Sequence, residues 1–69
     1  MILFTKENCP LCKMAKTKLN AANIDFTECS DENIMEELGI DMLPVAKIND
    51  ELLGISQILE LIKEKANGN

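Results

Sequence analysis

A short apolar run that leads directly into an amphipathic helix constrains the fold of this chain most. Residues 2–5 (Ile-Leu-Phe-Thr) have the length and apolar character of a buried strand. Pro10 is typical of the first turn of a helix. Apolar residues then recur every three or four positions, which predicts an amphipathic helix over residues 10–22.

The remaining pattern predicts three more strands and two more helices. Residues 24–29 alternate apolar and polar side chains and indicate a second strand. Ser30, followed by two acidic residues, predicts the start of a second helix, and Gly39 predicts its end. Residues 44–53 predict a hairpin that turns at Asn-Asp. Periodic apolar residues after Gly54 then predict a last helix.

The order of these elements defines the predicted fold class, which is α/β. The arrangement βαβαββα begins with a right-handed βαβ unit of parallel strands and continues with an antiparallel hairpin on the same sheet. We therefore expect a four-stranded mixed sheet flanked by three helices, with the first strand near its centre. Ile34, Met35 and Leu38 form the apolar face of the second helix. The length suits one domain over residues 1–69.

Charge and composition exclude several classes of function. The net charge of −5 argues against nucleic-acid binding, because phosphate contacts need clustered Lys and Arg. The chain has no His, so any catalysis must depend on Cys, Lys, Asp or Glu. The first apolar run stops at Lys6, which is too early for a signal-peptide core or a membrane span. We therefore expect a cytoplasmic protein with no membrane partner.

Two cysteines, Cys9 and Cys12, flank a proline and a leucine at the predicted start of the first helix. In a reducing compartment such a pair is more often catalytic or metal-binding than a structural staple. Zinc takes four ligands, and Cys29 is the one further cysteine that the chain offers. A metal site and an inert pair of core cysteines remain alternatives to a reactive dithiol. For Cys29 we expect a buried or half-buried position at the end of a strand.

The position of Cys9 at the helix start favours its ionised form. Unpaired N–H groups of the first turn and the helix dipole both stabilise a thiolate there. Cysteines at such positions have pKa values of roughly 3.5–7.5, against about 8.5 for a free thiol. Lys6 and Lys13 are close enough in sequence to add to this effect. Cys12, one turn further on, is expected to be more buried and less ionised.

The two cysteines therefore suggest a division of roles. We expect Cys9 to attack a substrate disulfide and Cys12 to resolve the mixed disulfide that results, so that the pair ends as a redox disulfide. Pro10 fixes φ and stiffens the reactive turn. Leu11 is expected to point outward and contact the substrate.

The segment over residues 4–12, Phe-Thr-Lys-Glu-Asn-Cys-Pro-Leu-Cys, resembles the glutaredoxin family of the thioredoxin-like fold. The similarity extends over nearly the whole chain. It implies that Lys6 contacts the glycyl carboxylate of glutathione. Residues 42–45 are similar to the family's cis-proline loop, so Pro44 is expected to be cis and to lie beside the dithiol. Leu43 would then offer its backbone to an extended substrate peptide.

The chain departs from the family pattern where glutathione would bind. Four residues stand in place of the usual Tyr, Thr, Gly and acid: Leu11, Met42, Ile55 and Gln57. Gly54 is retained, and Ser56 is expected to cap the last helix and to donate to the γ-glutamyl carboxylate. These changes favour a second branch, the NrdH-redoxins, which draw electrons from thioredoxin reductase. The aromatic stretch that those proteins carry after the hairpin is absent here.

The leading hypothesis is a monomeric dithiol–disulfide oxidoreductase that reduces protein or glutathione mixed disulfides. Such a protein serves electron transport and cell redox homeostasis, and it holds no bound cofactor. Its partners would be disulfide-containing proteins, with glutathione or thioredoxin reductase as the source of electrons. One alternative is an NrdH-like electron donor to ribonucleotide reductase. The other alternative is a metal-binding or iron–sulfur module.

Overall fold

The order of helices and strands agrees with the predicted α/β architecture. A computed structural model describes the backbone of residues 1–67 and the side chains of residues 1–65, and the end of the predicted domain, residues 68 and 69, lies outside it. The elements, in chain order, are β1 (Ile2–Phe4), α1 (Pro10–Ala21), β2 (Thr27–Cys29), α2 (Glu32–Glu37), β3 (Val45–Ile48), β4 (Glu51–Leu53) and α3 (Ile55–Asn67). No helix within residues 1–67 is long and apolar enough to cross a bilayer.

The four strands form one mixed sheet in the order β2-β1-β3-β4. β1 pairs parallel with β2, where Phe4 lies opposite Cys29. On its other side β1 pairs antiparallel with β3, where Leu3 lies opposite Ala46. β4 completes the hairpin with β3. The first strand is therefore an interior strand, as its apolar residues predict.

The main core lies between one face of the sheet and the helices α1 and α3. Leu3, Leu19, Ala46 and Ile58 are fully buried there and form one cluster, to which β1, α1, β3 and α3 each contribute one residue. Full burial of a Leu or Ile side chain stabilises a fold by about 1.5–3 kcal/mol. This packing fixes α1 against β1, so the start of the helix lies beside the carboxyl end of an interior strand.

The opposite face of the sheet is covered more thinly. Side chains alternate along a strand, so Phe4 points away from the face that Leu3 occupies, and it is buried. Met35 of α2 is also buried, but Ile34 and Leu38 are 41% and 37% exposed. The predicted apolar face of α2 is therefore wrong for Ile34 and Leu38. Met35 is the one buried residue of this six-residue helix.

Two predicted element starts also differ from the structure. β2 begins at Thr27 rather than at residue 24, because Ile24 donates its N–H to the carbonyl of Leu19 and closes the end of α1. The cap of α2 is Asp31 rather than Ser30. The Asp31 carboxylate accepts the N–H groups of Asn33 and Ile34, at 2.9 and 3.4 Å. A carboxylate accepts hydrogen bonds and also places a negative charge at the positive end of the helix, which accounts for Asp31 rather than Ser30 as the cap.

Gly39 ends α2 in a left-handed conformation, as predicted, with φ of 73°. A Cβ at this position would meet no atom within 4 Å, so any cost of a side chain comes from the backbone alone. We predict that Gly39→Ala lowers the free energy of unfolding by about 1 kcal/mol, measured by chemical denaturation. Gly39→Asn is the matched control and should lose less, because Asn tolerates positive φ. Equal losses in the two variants would contradict this explanation.

Candidate active site

Cys9 occupies the N-cap of α1, directly after the loop that leaves β1. Its backbone is extended, with φ of −111° and ψ of 105°, and Pro10 is the first helical residue. The Cys9 carbonyl accepts the N–H of Lys13 at 3.0 Å, which is the first hydrogen bond of the helix. The Cys9 sulfur accepts the N–H of Cys12 at 3.3 Å. The sulfur thus takes the position that a Ser, Thr or Asp oxygen takes in an ordinary cap.

The turn that presents Cys9 depends on Asn8, which has φ of 57°. Asn adopts this left-handed region more readily than other residues with a side chain, apart from Asp. At this turn the chain changes direction between β1 and α1, which brings Cys9 to the cap position of the helix. The sequence analysis did not single out Asn8. The signal was an Asn placed between an apolar strand and a helix that starts at Cys-Pro.

The pKa of the Cys9 thiol is lowered from its ordinary value. The largest cause is a hydrogen bond from the Cys12 thiol, which outweighs an opposing desolvation effect. The N–H groups of Cys12 and Leu11 and the positive charge of Lys6 lower the pKa further. The direction agrees with the prediction from the sequence, but the partner thiol contributes more than either of the two helix amides.

Cys12 has the opposite environment, since it is 1% exposed. Burial is the main cause that raises the pKa of its thiol, and the hydrogen bond to Cys9 raises it further. The backbone N–H of Lys6 and the charge of Lys16 act in the other direction. Both cysteines are free thiols in the structure. The pair therefore combines an accessible thiol with a lowered pKa and a buried thiol with a raised pKa. The accessible thiol, Cys9, is the better nucleophile near neutral pH.

An open cavity of about 590 Å³ lies at the dithiol, and we call it the lysine cavity. Its lining residues include Cys9, Pro10 and Cys12, together with one acidic and three basic side chains: Glu7, Lys6, Lys13 and Lys16. The chain as a whole has an excess of acidic residues, so this local excess of lysines distinguishes the surroundings of the dithiol from the rest of the protein. A basic cavity attracts anionic groups.

A hydrogen-bonded cluster that includes Lys16, one of the residues that line the lysine cavity, connects three parts of the chain. The hydroxyl of buried Thr5, just after β1, donates to the Glu28 carboxylate at 2.6 Å. Lys16 of α1 donates to the same oxygen at 3.0 Å. The bond from Thr5 and then the bond from Lys16 hold the pKa of Glu28 below its usual range. Sequence reasoning missed the cluster, because its members are far apart in the chain and no local pattern joins them.

A second concave region, about 260 Å³ in volume, lies beside the cis bond between Leu43 and Pro44, and we call it the cis-proline groove. Pro44 is cis, as the resemblance implied, and is fully buried. The groove brings together five residues that the sequence analysis singled out as substrate contacts: Leu11, Leu43, Pro44, Gly54 and Ser56. The sixth, Lys6, lines the lysine cavity instead.

Ser56 does not cap α3, which corrects one prediction. The helix begins at Ile55, so Ser56 already lies in its first turn. Gly54 is the residue before the helix, and its carbonyl accepts the N–H of Ile58 at 2.9 Å. The Gly54 N–H donates to the side-chain oxygen of Gln57 at 3.1 Å. This bond is the half of a capping box in which a residue of the first turn reaches back to the cap.

Cys29 lies at the end of β2 and is half-buried, in the position that the sequence predicts. Among residues 1–67, no group of three or more His, Cys, Asp or Glu side chains is placed to hold a metal ion.

A small α/β domain with a Cys-x-x-Cys pair at the start of its first helix defines a class of thiol-dependent redox proteins. A comparison with protein families narrows the class: the family model described as Glutaredoxin matches residues 1–53. This match covers more than half of the 69 residues, so the chain belongs to the glutaredoxin family and has the thioredoxin-like fold. Members of the family generally act as thiol–disulfide oxidoreductases. No curated protein and no solved structure gives a significant match to the chain.

Removal of the Cys12 thiol is predicted to raise the pKa of Cys9, because its hydrogen bond is the largest influence that favours the thiolate. In a Cys29→Ser background, Cys12→Ala should move the ultraviolet thiolate titration of Cys9 to higher pH. Cys12→Ser is the matched control, since its hydroxyl can donate the same bond, and it should titrate below Cys12→Ala. If the two variants titrate together, the thiol hydrogen bond is not the main cause.

Proposed function

We propose that this protein is a dithiol–disulfide oxidoreductase that reduces protein or glutathione mixed disulfides through Cys9 and Cys12. One observation supports the proposal above all others. The Cys9 sulfur caps α1 and is hydrogen-bonded by a buried partner, Cys12, whose pKa shifts in the opposite direction. A nucleophile and a resolving thiol need this contrast in accessibility and in ionisation.

The reaction proceeds by two exchanges. The Cys9 thiolate attacks one sulfur of a substrate disulfide and forms a mixed disulfide, while the other substrate sulfur leaves as a thiolate and takes up a proton. Cys12 then loses its proton, attacks the Cys9 sulfur and releases the second substrate thiol. The substrate has gained two electrons, and the protein holds a Cys9–Cys12 disulfide. Two glutathione molecules, or a flavoprotein reductase, return the two electrons.

The residues around the dithiol have supporting roles in this proposal. Pro10 keeps the reactive turn rigid, because it fixes φ at the first helical position. Lys6 attracts the glycyl carboxylate of glutathione, and its place in the lysine cavity supports this role. The remaining substrate contacts are assigned to the cis-proline groove: Leu11, Leu43, Pro44, Gly54 and Ser56. The Leu43 backbone would pair with an extended substrate, as in strand addition.

We further propose that the protein works as a monomer in the cytoplasm, with glutathione as its reductant and without a resident cofactor. A second candidate is an NrdH-like electron donor to ribonucleotide reductase that thioredoxin reductase recycles. The composition of the cis-proline groove favours this candidate. Leu11, Met42 and Ile55 make the groove apolar at positions where the family usually has Tyr, Thr and Gly.

Replacement of Cys9 and replacement of Cys12 are predicted to abolish different activities. Cys9→Ser should abolish reduction of both glutathione mixed disulfides and protein disulfides, because the first exchange needs this thiolate. Cys12→Ser should retain activity on glutathione mixed disulfides and lose it on protein disulfides, which need the second exchange. Coupled reductase assays with each substrate measure both activities. Cys29→Ser serves as the control for loss of a thiol and should keep both activities. Activity retained by Cys9→Ser would refute the assignment of Cys9 as the nucleophile.

The source of electrons separates the two candidate functions. A glutathione-dependent enzyme should turn over a protein disulfide with glutathione and glutathione reductase, whereas an NrdH-like donor should need thioredoxin reductase and NADPH. The measurement is NADPH oxidation with each system at equal concentrations of the protein. Faster turnover with thioredoxin reductase would overturn the assignment of glutathione as the reductant, and it would leave the dithiol chemistry intact.

A further inference from the structure

We propose that the cis-proline groove selects disulfides of protein segments that carry an apolar side chain next to the reacting cysteine, in preference to disulfides of glutathione. This inference deepens the proposed function and rests on it. Leu11, which lies between Cys9 and Cys12 in the dithiol motif, lines the groove, so a residue adjacent to the substrate cysteine is the part of a substrate that would reach it.

The groove exposes large apolar side chains to water. Met42 is 75% exposed, the largest fraction among the exposed large hydrophobic residues in the described part of the chain. Leu11, which lies in the dithiol motif itself, is 47% exposed and lines the same groove. Adjacent large side chains exposed to water at a concave site mark a surface that a partner covers. An apolar side chain of the substrate would remove this surface from water.

All the residues that line the groove are uncharged. The γ-glutamyl end of glutathione carries an ammonium and a carboxylate group. The carboxylate could accept hydrogen bonds from Ser56 and from the first turn of α3, but the ammonium group would lose hydration in the groove without gaining a charged partner, which is unfavourable. The side-chain oxygen of Gln57 already accepts the N–H of Gly54. The charged side chains near the dithiol lie in the lysine cavity instead.

The groove has a volume of about 260 Å³, which leaves room for a Leu-sized side chain. The occupant that matches its exposed apolar surface, its lack of charged side chains and its position is a Leu-like residue next to a disulfide-bonded cysteine.

The test uses short peptides with one cysteine, each linked by a disulfide to the same aromatic thiol. The two residues that flank the cysteine are both Leu, both Ser or both Glu, and the glutathione mixed disulfide of the same thiol is the fourth substrate. Attack by Cys9 releases the coloured aromatic thiol, which is the better leaving group in all four. We expect the second-order rate constant for the Leu peptide to exceed those for the Ser peptide and for glutathione by about tenfold. The Glu peptide should also be slower than the Leu peptide, because its side chains gain nothing from the apolar surface of the groove.

Two variants connect this preference to the groove. Met42→Thr should reduce the ratio of the Leu-peptide rate to the Ser-peptide rate towards one. Leu38→Thr is the matched control, because Leu38 is also an exposed large apolar residue but lies outside the groove, and this variant should keep the ratio. Gln57→Glu, which can still accept the Gly54 N–H, should raise the glutathione rate relative to the Leu-peptide rate, since it supplies a partner for the ammonium group.

Equal rates for the Leu and Ser peptides, or a faster rate for glutathione, would overturn the inference and leave the proposed function standing. An unchanged ratio in Met42→Thr would also overturn it. Failure of the proposed function has a different signature: release of the aromatic thiol from all four substrates would then be as fast with Cys9→Ser as with the unmodified protein. That result would overturn both.

Discussion

The hydrogen bond that the Cys9 sulfur accepts from the backbone N–H of Cys12 connects the fold of this protein with its chemistry. The same residue, one helical turn away, also supplies the thiol that lowers the Cys9 pKa most. This arrangement exists only if the helix begins at Pro10, immediately after the cysteine. Anything that moves the start of α1 by one residue would remove the cap, the low pKa of the nucleophile and its contact with the resolving thiol together.

The position of that helix start is determined by packing some distance away. Leu19 and Ile58 bury α1 and α3 against the interior strands, and the left-handed turn at Asn8 brings the chain from β1 to the cap. In this arrangement Cys12 is buried while Cys9 stays partly accessible. Two chemically identical side chains thereby acquire different pKa values, one lowered by hydrogen bonds and the other raised mainly by desolvation. The division of roles between them thus follows from their burial.

Local patterns in the sequence were sufficient for the order of elements, the sheet topology and the position of the dithiol, because periodicity, Pro10 and Gly39 act within a few residues. They failed where two neighbouring residues can both cap a helix, since Asp31 rather than Ser30 caps α2. They also failed where the determinant is remote in sequence. The cluster of Thr5, Lys16 and Glu28 exists because parallel pairing brings β2 beside β1, and no short pattern encodes it. The main cause of the low Cys9 pKa was missed likewise, because it depends on where a partner thiol points.

Membership of a family defines the reaction but not the substrate, because specificity belongs to surfaces around a shared centre. In this chain those surfaces differ in kind: the lysine cavity is charged, whereas the cis-proline groove is uncharged and apolar. A thiolate exchanges with any disulfide that reaches it, so the dithiol alone discriminates little among substrates. Selection must then come from what lies next to the attacked sulfur, where burial of an apolar side chain favours a protein segment and an uncompensated charge disfavours a charged tripeptide. The residues that depart from the family pattern lie in that groove, so the change in sequence and the change in surface chemistry coincide.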